Sequence, residues 1–182
     1  MRLFVAVDPP GDIKSALERD VVGPLRQELP AARWTRSDGR HLTLKFLGEV
    51  DDSRVAEVAG AVRDAARRHT PFDAAFDRIG GFPNLRRPRV VWVGIGPGAE
   101  PMSALAASVE EGLEDLGFEP EGRPFRPHLT LARFKVPDRV SELPDIAVPS
   151  DTFTVRGVVL FRSQLRREGT AYTPLDELPL GE

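Results

Sequence analysis

The tetrapeptide His-Leu-Thr-Leu occurs twice in this chain, beginning at His41 and at His128, and its residue types are suited to chemistry. In an extended strand, successive side chains point to opposite faces. His41 and Thr43 therefore share one face, as do His128 and Thr130, while the leucines occupy the other face. With the leucines in a core, each imidazole and hydroxyl, about 6.6 Å apart along the strand, can line a cleft.

This repeat is improbable by chance, because two of the three histidines in the chain begin the same tetrapeptide. Two imidazoles can be held in opposite protonation states near neutral pH, one as general base and the other as general acid. In-line displacement at phosphorus uses both at once, since a water loses a proton while the opposite oxygen leaves and gains one. Threonine hydroxyls can donate to the non-bridging oxygens, and an arginine adds a charge-assisted contact.

Arg133 is the arginine that follows the second motif, five residues after His128. Along a straight strand it has the opposite parity to His128. We therefore expect Arg133 to reach the cleft only past a β-bulge or at the end of the strand.

A metal site is the main alternative use of paired histidines. Zinc or iron takes three or four protein ligands, and Asp38, which we assign to a turn, is the only carboxylate residue within three positions of either motif histidine. The chain has no cysteine and no Gly-x-Ser-x-Gly segment, which excludes a thiolate nucleophile and removes the signal of a serine hydrolase. We expect no metal and no cofactor.

Composition indicates a soluble protein, with 41% hydrophobic and 29% charged residues. No apolar run approaches the ~20 residues of a membrane span, and the short apolar stretch at residues 2–7 predicts a buried strand rather than a signal peptide. We expect a cytoplasmic protein without membrane contact. The net charge of −3 argues against a protein that coats nucleic acid. A local basic surface for a small anionic target is indicated by Arg86, Arg87, Arg89, Arg123, Arg126 and Arg133.

The elements that must position these residues follow from hydrophobic periodicity. Strands are predicted at residues 2–8, 33–35, 41–47, 72–79, 90–93, 128–135 and 153–161, with another near Tyr172. Helices are predicted from Asp12 to Leu29, after residues 51–53, and from Pro101 to Leu116, where Gly117 is the expected stop. A long loop is marked by Pro137, Pro144 and Pro149.

The order of elements contains an internal repeat. Phe4 precedes His41 by 37 residues, and Val91 precedes His128 by 37 residues. Each interval holds strand, helix, turn and histidine strand, which predicts two βαβ-type lobes related by a pseudo-two-fold axis, each giving one histidine and one threonine to a shared groove. The repeat fails after the second motif, where prolines replace the expected helix. We therefore expect residues 1–182 to form one domain with two lobes.

Several segments together resemble the 2H phosphoesterase superfamily, and within it the bacterial and archaeal RNA 2′,3′-cyclic phosphodiesterases, also called 2′-5′ RNA ligases. The match extends over nearly the whole chain. It includes both motifs and the segments 2–7, 81–90, 124–133, 160–163 and 172–175. The resemblance implies a bilobal α+β fold with antiparallel sheets around a central groove, and a reaction that needs no metal.

The resemblance also implies roles for individual residues. His41 would protonate the departing ribose 3′-oxygen and His128 would activate water. The phosphate would be held by Thr43, Thr130 and Arg133. For Phe46, which shares the first motif strand, two interpretations are open: the resemblance makes it a platform for base stacking, whereas its opposite parity to His41 is also typical of core packing.

The implied reaction hydrolyses a 2′,3′-cyclic phosphate, on an RNA end or on a small cyclic nucleotide, to a 2′-phosphate. The resemblance adds a reversible 2′-5′ ligase activity, in which a ribose 5′-hydroxyl replaces water. We expect a monomer. The alternative from another class is a binding module that recognises a nucleotide or RNA end without chemistry. A degenerate member of the superfamily would be expected to lose a motif histidine or threonine, and this chain keeps all four.

Overall fold

Ten strands and four α-helices make up the part of the chain that the structure, a computed structural model, describes: residues 1–136, 145–167 and 169–182. The predicted loop prolines Pro137 and Pro144 lie outside the described residues. Within the described residues no helix is long and apolar enough to cross a membrane. The strands are β1 (Arg2–Val7), β2 (Arg33–Trp34), β3 (Leu42–Glu49), β4 (Phe72–Ala74), β5 (Phe76–Phe82), β6 (Val90–Ile95), β7 (His128–Arg133), β8 (Phe153–Val155), β9 (Gly157–Arg166) and β10 (Gly169–Pro179). The helices are α1 (Gly11–Leu17), α2 (Gly23–Glu28), α3 (Val55–Ala66) and α4 (Ala99–Glu114).

Eight of these strands form one antiparallel sheet in the order β10-β9-β1-β3-β7-β6-β5, with the short β2 paired to the end of β7. We call β10, β9, β1 and β3 the first lobe and β7, β6 and β5 the second lobe. The two lobes meet between β3 and β7, where Leu42 is paired with Leu129. A separate two-stranded sheet joins β4 and β8. The predicted α+β class, with antiparallel sheets and two lobes, is confirmed.

The two faces of the large sheet pack against different groups of residues. On β1, Leu3, Val5 and Val7 belong to the main core together with residues of all four helices. The opposite face carries a small separate cluster of Phe4 and Phe161 with Ala6. None of the four described helices contributes a residue to this second cluster, so alternation along the strands separates a helix-covered face from a second face. We call this face the groove face.

The helical segment after β1 departs from its prediction as one regular helix capped by Asp12. A π-helical turn at Glu18–Val22 separates α1 from α2, and the N-cap of α1 is Pro10, with no side-chain cap. Pro24, near the start of α2, has no N–H and its ring crowds the preceding turn, which accounts for the widening. The predicted apolar face is nevertheless correct, since its members are buried: Ile13, Leu17, Val21, Leu25 and Leu29.

The other two predicted helices are found close to their expected bounds. Asp51 caps the turn before α3 by accepting from the Ser53 amide at 2.9 Å. Gly117, with a φ of 86°, donates its amide to the carbonyl of Glu114 after the last turn of α4. Only glycine adopts this left-handed conformation without a steric cost, so Gly117 ends the helix as predicted.

Two predicted strands are each divided in the structure. The predicted strand at 72–79 becomes β4 and β5, and the predicted strand at 153–161 becomes β8 and β9. In both cases the first part pairs in the small sheet and the second part in the large sheet. The chain changes sheets at Ala75 and at Arg156. Alternation alone does not reveal such a change, because both parts keep the same apolar pattern.

Candidate active site

The central pair of Leu42 and Leu129 brings the two motifs together. Both leucines are fully buried in the main core. Because β3 and β7 are antiparallel, the next positions place His41 beside Thr130 and Thr43 beside His128, on the groove face. The two histidines are then diagonal neighbours, about 7–8 Å apart at Cα by the geometry of an antiparallel pair.

Each motif strand carries a β-bulge just after its threonine. The ladder between β1 and β3 leaves out Leu44, and the ladder between β6 and β7 leaves out Leu131. A bulge inserts one residue into one strand and therefore reverses the facing of the side chains that follow. Phe46 and Arg133, each five residues after a motif histidine, consequently face the groove. Phe46 is 67% exposed, so core packing, the second interpretation of this residue, is wrong.

The ladders also correct the alignment of the internal repeat. Phe4 pairs with Phe46, and Val90 pairs with Arg133. Phe4 therefore corresponds to Val90, whereas equal spacing to the histidines had matched it with Val91. The repeat is real, but the second interval is longer by one residue in its connection.

His41 is enclosed by aromatic rings of the first lobe. Its ring centroid lies 4.3 Å from that of Phe161 and 5.3 Å from that of Tyr172, and 7% of the residue is exposed. Burial lowers the pKa of His41 to about 4, while the carboxylate of Asp8, with Oδ1 3.8 Å from His41 Nε2, acts in the opposite direction. His41 is thus less open to the groove than its motif alone indicates.

His128 lies in a more open setting in the second lobe. Its ring meets the edge of Phe82 at 5.0 Å, with Trp92 at 6.0 Å. Nδ1 donates to the carbonyl oxygen of Arg126 at 2.7 Å, because a carbonyl can only accept. In the neutral ring, Nε2 therefore carries the lone pair. Burial lowers the pKa of His128, the bond to Arg126 opposes this effect, and Arg133 lowers the pKa further.

These lowered pKa values favour the neutral form of both imidazoles at neutral pH, so the opposite protonation states that paired histidines can take require a further charge beside one ring. The physical reason is burial, which disfavours the charged form of both rings. A bound anion reverses this balance, because a negative charge within a few ångströms favours imidazolium. The assignment of one acid and one base must then depend on what lies beside each ring.

A group of arginines borders the second motif. Arg33 of β2 lies directly opposite Arg133 of β7, and Arg89 precedes Val90, the other cross-strand partner of Arg133. Like charges directly opposite in a sheet are destabilising. Among the described residues, neither Arg33 nor Arg133 nor Arg89 has a carboxylate in ion-pair range. This arrangement suits a bound anion.

The surroundings of the histidines also bear on metal binding. In the described ranges, no group of three or more histidine, aspartate or glutamate side chains is placed to hold a metal ion. The third histidine, His69, lies outside the groove, where its Nε2 is 2.8 Å from Ser108 Oγ and links the end of α3 to α4. His69 therefore has a structural contact and is separate from the two motifs.

Comparison with known proteins places this arrangement in a family. The family model of the 2′-5′ RNA ligase superfamily matches residues 13–167. The chain belongs to the 2′-5′ RNA ligase superfamily. The RNA 2′,3′-cyclic phosphodiesterase of Methanothermobacter thermautotrophicus is 32% identical over 97% of this chain and 97% of its own length. The predicted resemblance to 2H phosphoesterases is confirmed.

Solved structures of similar proteins have the same fold. The protein TT0787 of Thermus thermophilus has a TM-score of 0.84 and 31% identity, with full coverage of both chains. LigT of E. coli in complex with 3′-AMP has a TM-score of 0.79 and 30% identity, covering 100% of this chain and 98% of LigT. This chain therefore has the same bilobal architecture as TT0787 and LigT.

Every site residue predicted from the sequence lies on the groove face of this superfamily member: His41, Thr43, Phe46, His128, Thr130 and Arg133. Sequence reasoning missed three neighbours, namely Asp8, Arg33 and Trp92. The sequence signal for Asp8 was its place directly after a predicted buried strand, but that place does not show which strand lies beside it. Trp92 pairs with Thr130 across β6 and β7, and no periodicity in the sequence distinguishes it from a core residue.

Proposed function

We propose that this protein is an RNA 2′,3′-cyclic phosphodiesterase that converts a 2′,3′-cyclic phosphate end to a 2′-phosphate by two-histidine acid–base catalysis. The observation that supports this proposal is the antiparallel register at Leu42 and Leu129, which faces two His-x-Thr pairs toward each other. In-line displacement needs a base and an acid on opposite sides of one phosphorus atom. The activity for which the Methanothermobacter relative is named agrees with this proposal.

His128 is the base in this proposal. The bond from its Nδ1 to the carbonyl of Arg126 selects the tautomer with a free lone pair on Nε2. That lone pair can take a proton from a water molecule, whose oxygen then forms a bond to phosphorus. The neighbouring Arg133 disfavours protonation of the free His128 ring, so Nε2 remains able to accept a proton from water.

His41 is the acid. As the new bond from water to phosphorus forms, the bond from phosphorus to the ribose 3′-oxygen breaks, and the proton of His41 goes to that oxygen. The anionic phosphate supplies the negative charge that brings His41 into its protonated form. The hydroxyls of Thr43 and Thr130 donate to the non-bridging oxygens, and Arg133 adds a charge-assisted contact.

An RNA end fits the groove better than a free cyclic mononucleotide. Arg133 serves the reacting phosphate in this proposal, and Arg33 beside it is then available for the phosphodiester on the 5′ side of the terminal nucleotide. Phe46, exposed at the other end of the site, offers a ring on which a base can stack. The 3′-AMP complex of E. coli LigT is consistent with a nucleotide in such a groove.

Ligation is the same displacement with a ribose 5′-hydroxyl in place of water. Water is present at about 55 M, so a second RNA must be held at a comparable effective concentration for ligation to compete. We therefore propose hydrolysis as the main activity and 2′-5′ ligation as a minor one. The ratio of the two products at high RNA concentration measures this balance.

The experiment uses a short RNA with a 2′,3′-cyclic phosphate end, with and without EDTA, and identifies the product by mass and by phosphatase and alkaline treatment. We expect turnover in both conditions and a 2′-phosphate product. The double variant His41→Ala/His128→Ala is the matched control and should bind RNA without turnover. Loss of activity in EDTA, or binding by the unmodified protein without any product, would contradict the proposal; the second result would favour a binding module.

A further inference from the structure

The carboxylate of Asp8 stands beside only one of the two motif histidines. Val7 is the last residue of β1 and pairs with Leu42 of β3. The next position therefore sets Asp8 across from His41, where Asp8 Oδ1 lies 3.8 Å from His41 Nε2. Acid–base catalysis by the two histidines gives Asp8 no part, although among the described residues it is the carboxylate within ion-pair distance of the proposed acid.

The corresponding place in the second lobe holds Gly94. Gly94 of β6 pairs with His128 of β7, as Asp8 stands across from His41. Glycine has no charge, and among the described residues the ionic neighbour that acts on His128 is the cation Arg133. The two histidines thus have the same backbone setting and opposite electrostatic neighbours.

Asp8 is itself held in place. Lys14 of α1 donates from Nζ to Asp8 Oδ1. The other titratable side chains near His41 are Asp38, in the turn before β3, and Tyr172 of β10. Among these groups Asp8 is the only carboxylate within ion-pair distance of the imidazole, whereas Lys14 acts on His41 in the opposite direction.

We propose that Asp8 is a positioning residue that, once an anionic phosphate is bound, retains the proton on His41 and so assigns the acid role to the first motif. An imidazolium has two N–H groups. Nε2–H faces Asp8, and the other N–H is left for the departing oxygen. Asp8 remains a carboxylate throughout, and after each turnover His41 regains its proton and His128 loses one by exchange with solvent. The inference rests on the proposed function for its catalytic part.

The first test follows the His41 imidazole by NMR titration in the whole protein, with saturating inorganic phosphate as the probe anion. Asp8→Asn should lower the midpoint of His41 by about one pH unit, because it removes the adjacent charge and keeps the side-chain shape. The matched control Asp38→Asn removes the same charge from an exposed turn and should shift the midpoint by less than about 0.3 unit. Equal shifts in the two variants would overturn the proposal.

The second test measures kcat against pH on the cyclic-ended RNA. Asp8→Asn should reduce kcat at pH 7 about 10- to 100-fold, with much of the loss recovered at lower pH, where His41 is protonated without help. Asp8→Glu should restore most of the activity, which a merely structural role would not predict. A pH-independent loss would overturn the proposal. If the unmodified protein does not turn over this RNA, the proposed function fails, while the NMR titration still decides whether Asp8 retains the His41 proton.

Discussion

The two motif strands share a backbone and differ in what surrounds them. From Leu42 and from Leu129 onward, both strands show the same order of one buried, one half-buried, two buried and one exposed residue, and both carry a bulge at the same place. Three of the neighbouring positions that differ change the charge or the ring beside the site. The first lobe has Asp8, Lys45 and Phe46 where the second lobe has Gly94, Ala132 and Arg133.

This comparison separates two sources of function. The repeated backbone supplies a pair of imidazoles and a pair of hydroxyls in matched geometry. The unmatched neighbours supply charge, one side being acidic beside its histidine and the other basic. Identical motifs can therefore take opposite roles in one reaction, because a neighbouring charge shifts the equilibrium between imidazole and imidazolium.

The largest effect is expected from removing either histidine. His41→Ala and His128→Ala should each lower kcat about 10³-fold on the cyclic-ended RNA, within the usual range of acid–base catalysis. A substrate with sulfur in place of the 3′-oxygen distinguishes the roles, since a thiolate leaves without protonation. On that substrate His41→Ala should lose little activity and His128→Ala should lose as much as before. The reverse result would exchange the acid and base assignments.

The ion pair of the buried Lys45 of β3 with Glu110 of α4 is the next point of contrast. Lys45, 7% exposed, donates to Glu110 Oε1 at 2.6 Å and to the carbonyl of Glu119, whereas the corresponding Ala132 has no charge. Lys45→Met should lower the free energy of unfolding by about 3 kcal/mol, because it leaves the half-buried carboxylate of Glu110 without its cation. Urea denaturation measures this loss. Lys45→Met/Glu110→Met should lose less than the sum of the two single variants, and additivity would contradict the pair.

Arg133 and Arg33 test the difference in charge between the two lobes. Arg133→Gln should lower kcat/KM about 10²-fold, because it removes a charge-assisted contact to the phosphate, and should weaken the dependence of KM on salt. Arg33→Gln should cost about 10-fold on RNA and little on a 2′,3′-cyclic mononucleotide, which has no second phosphate. Arg36→Gln, an exposed arginine near Asp38, is the control and should stay within about two-fold. An equal loss on both substrates for Arg33→Gln would contradict its assignment to a second phosphate.

The depressed pKa of His41 predicts how stability depends on pH. The unfolded chain binds a proton at His41 near pH 6.5, whereas the folded protein does so only at about 4. The unfolded state therefore holds more protons in this window, and stability must fall as the pH decreases through it. Between pH 7 and pH 5 we expect a loss on the order of 2 kcal/mol, measured by denaturation at each pH. His41→Asn should reduce this loss, and an unchanged pH dependence would refute the assignment to His41.

The smallest effect is expected at Phe46. Phe46→Ala should raise KM for the cyclic-ended RNA about 10-fold and leave kcat nearly unchanged, because stacking on a base is made before and during the reaction alike. Phe46→Tyr, which keeps the ring, is the matched control. A fall in kcat with constant KM would place Phe46 in the chemistry instead.

Much of the site could be predicted because it depends on local rules. Alternation placed His41 and Thr43 on one face, and the same rule applied to the second motif. The facing of Phe46 could not be decided, because the bulge at Leu44 arises from how β3 pairs with β1. Asp8 was missed for a related reason: its role depends on a cross-strand neighbour more than thirty residues away, and a strand reveals its partners only when the sheet is formed.

The fold shows the same division between local and non-local causes. Gly117 ends its helix because glycine can adopt the left-handed conformation, and this property can be read from the residue type alone. The changes of sheet at Ala75 and Arg156 were not predicted, since each depends on which distant strand is available. The π-turn before Gly23 is an intermediate case. Pro24 indicates an irregularity in the helix, but whether the helix kinks, breaks or widens depends on how it packs.

The meeting of the two motifs across the Leu42–Leu129 pair has an evolutionary consequence. A half-length ancestor that paired with a second copy of itself would form the same pair of facing motifs. Symmetry would then require both motif histidines to have the same neighbouring residues. Such a homodimer could not place an aspartate beside one imidazole without placing it beside the other. Joining the copies in a single polypeptide removes that constraint, so that each half can diversify separately and a symmetric ancestor can become a directional catalyst.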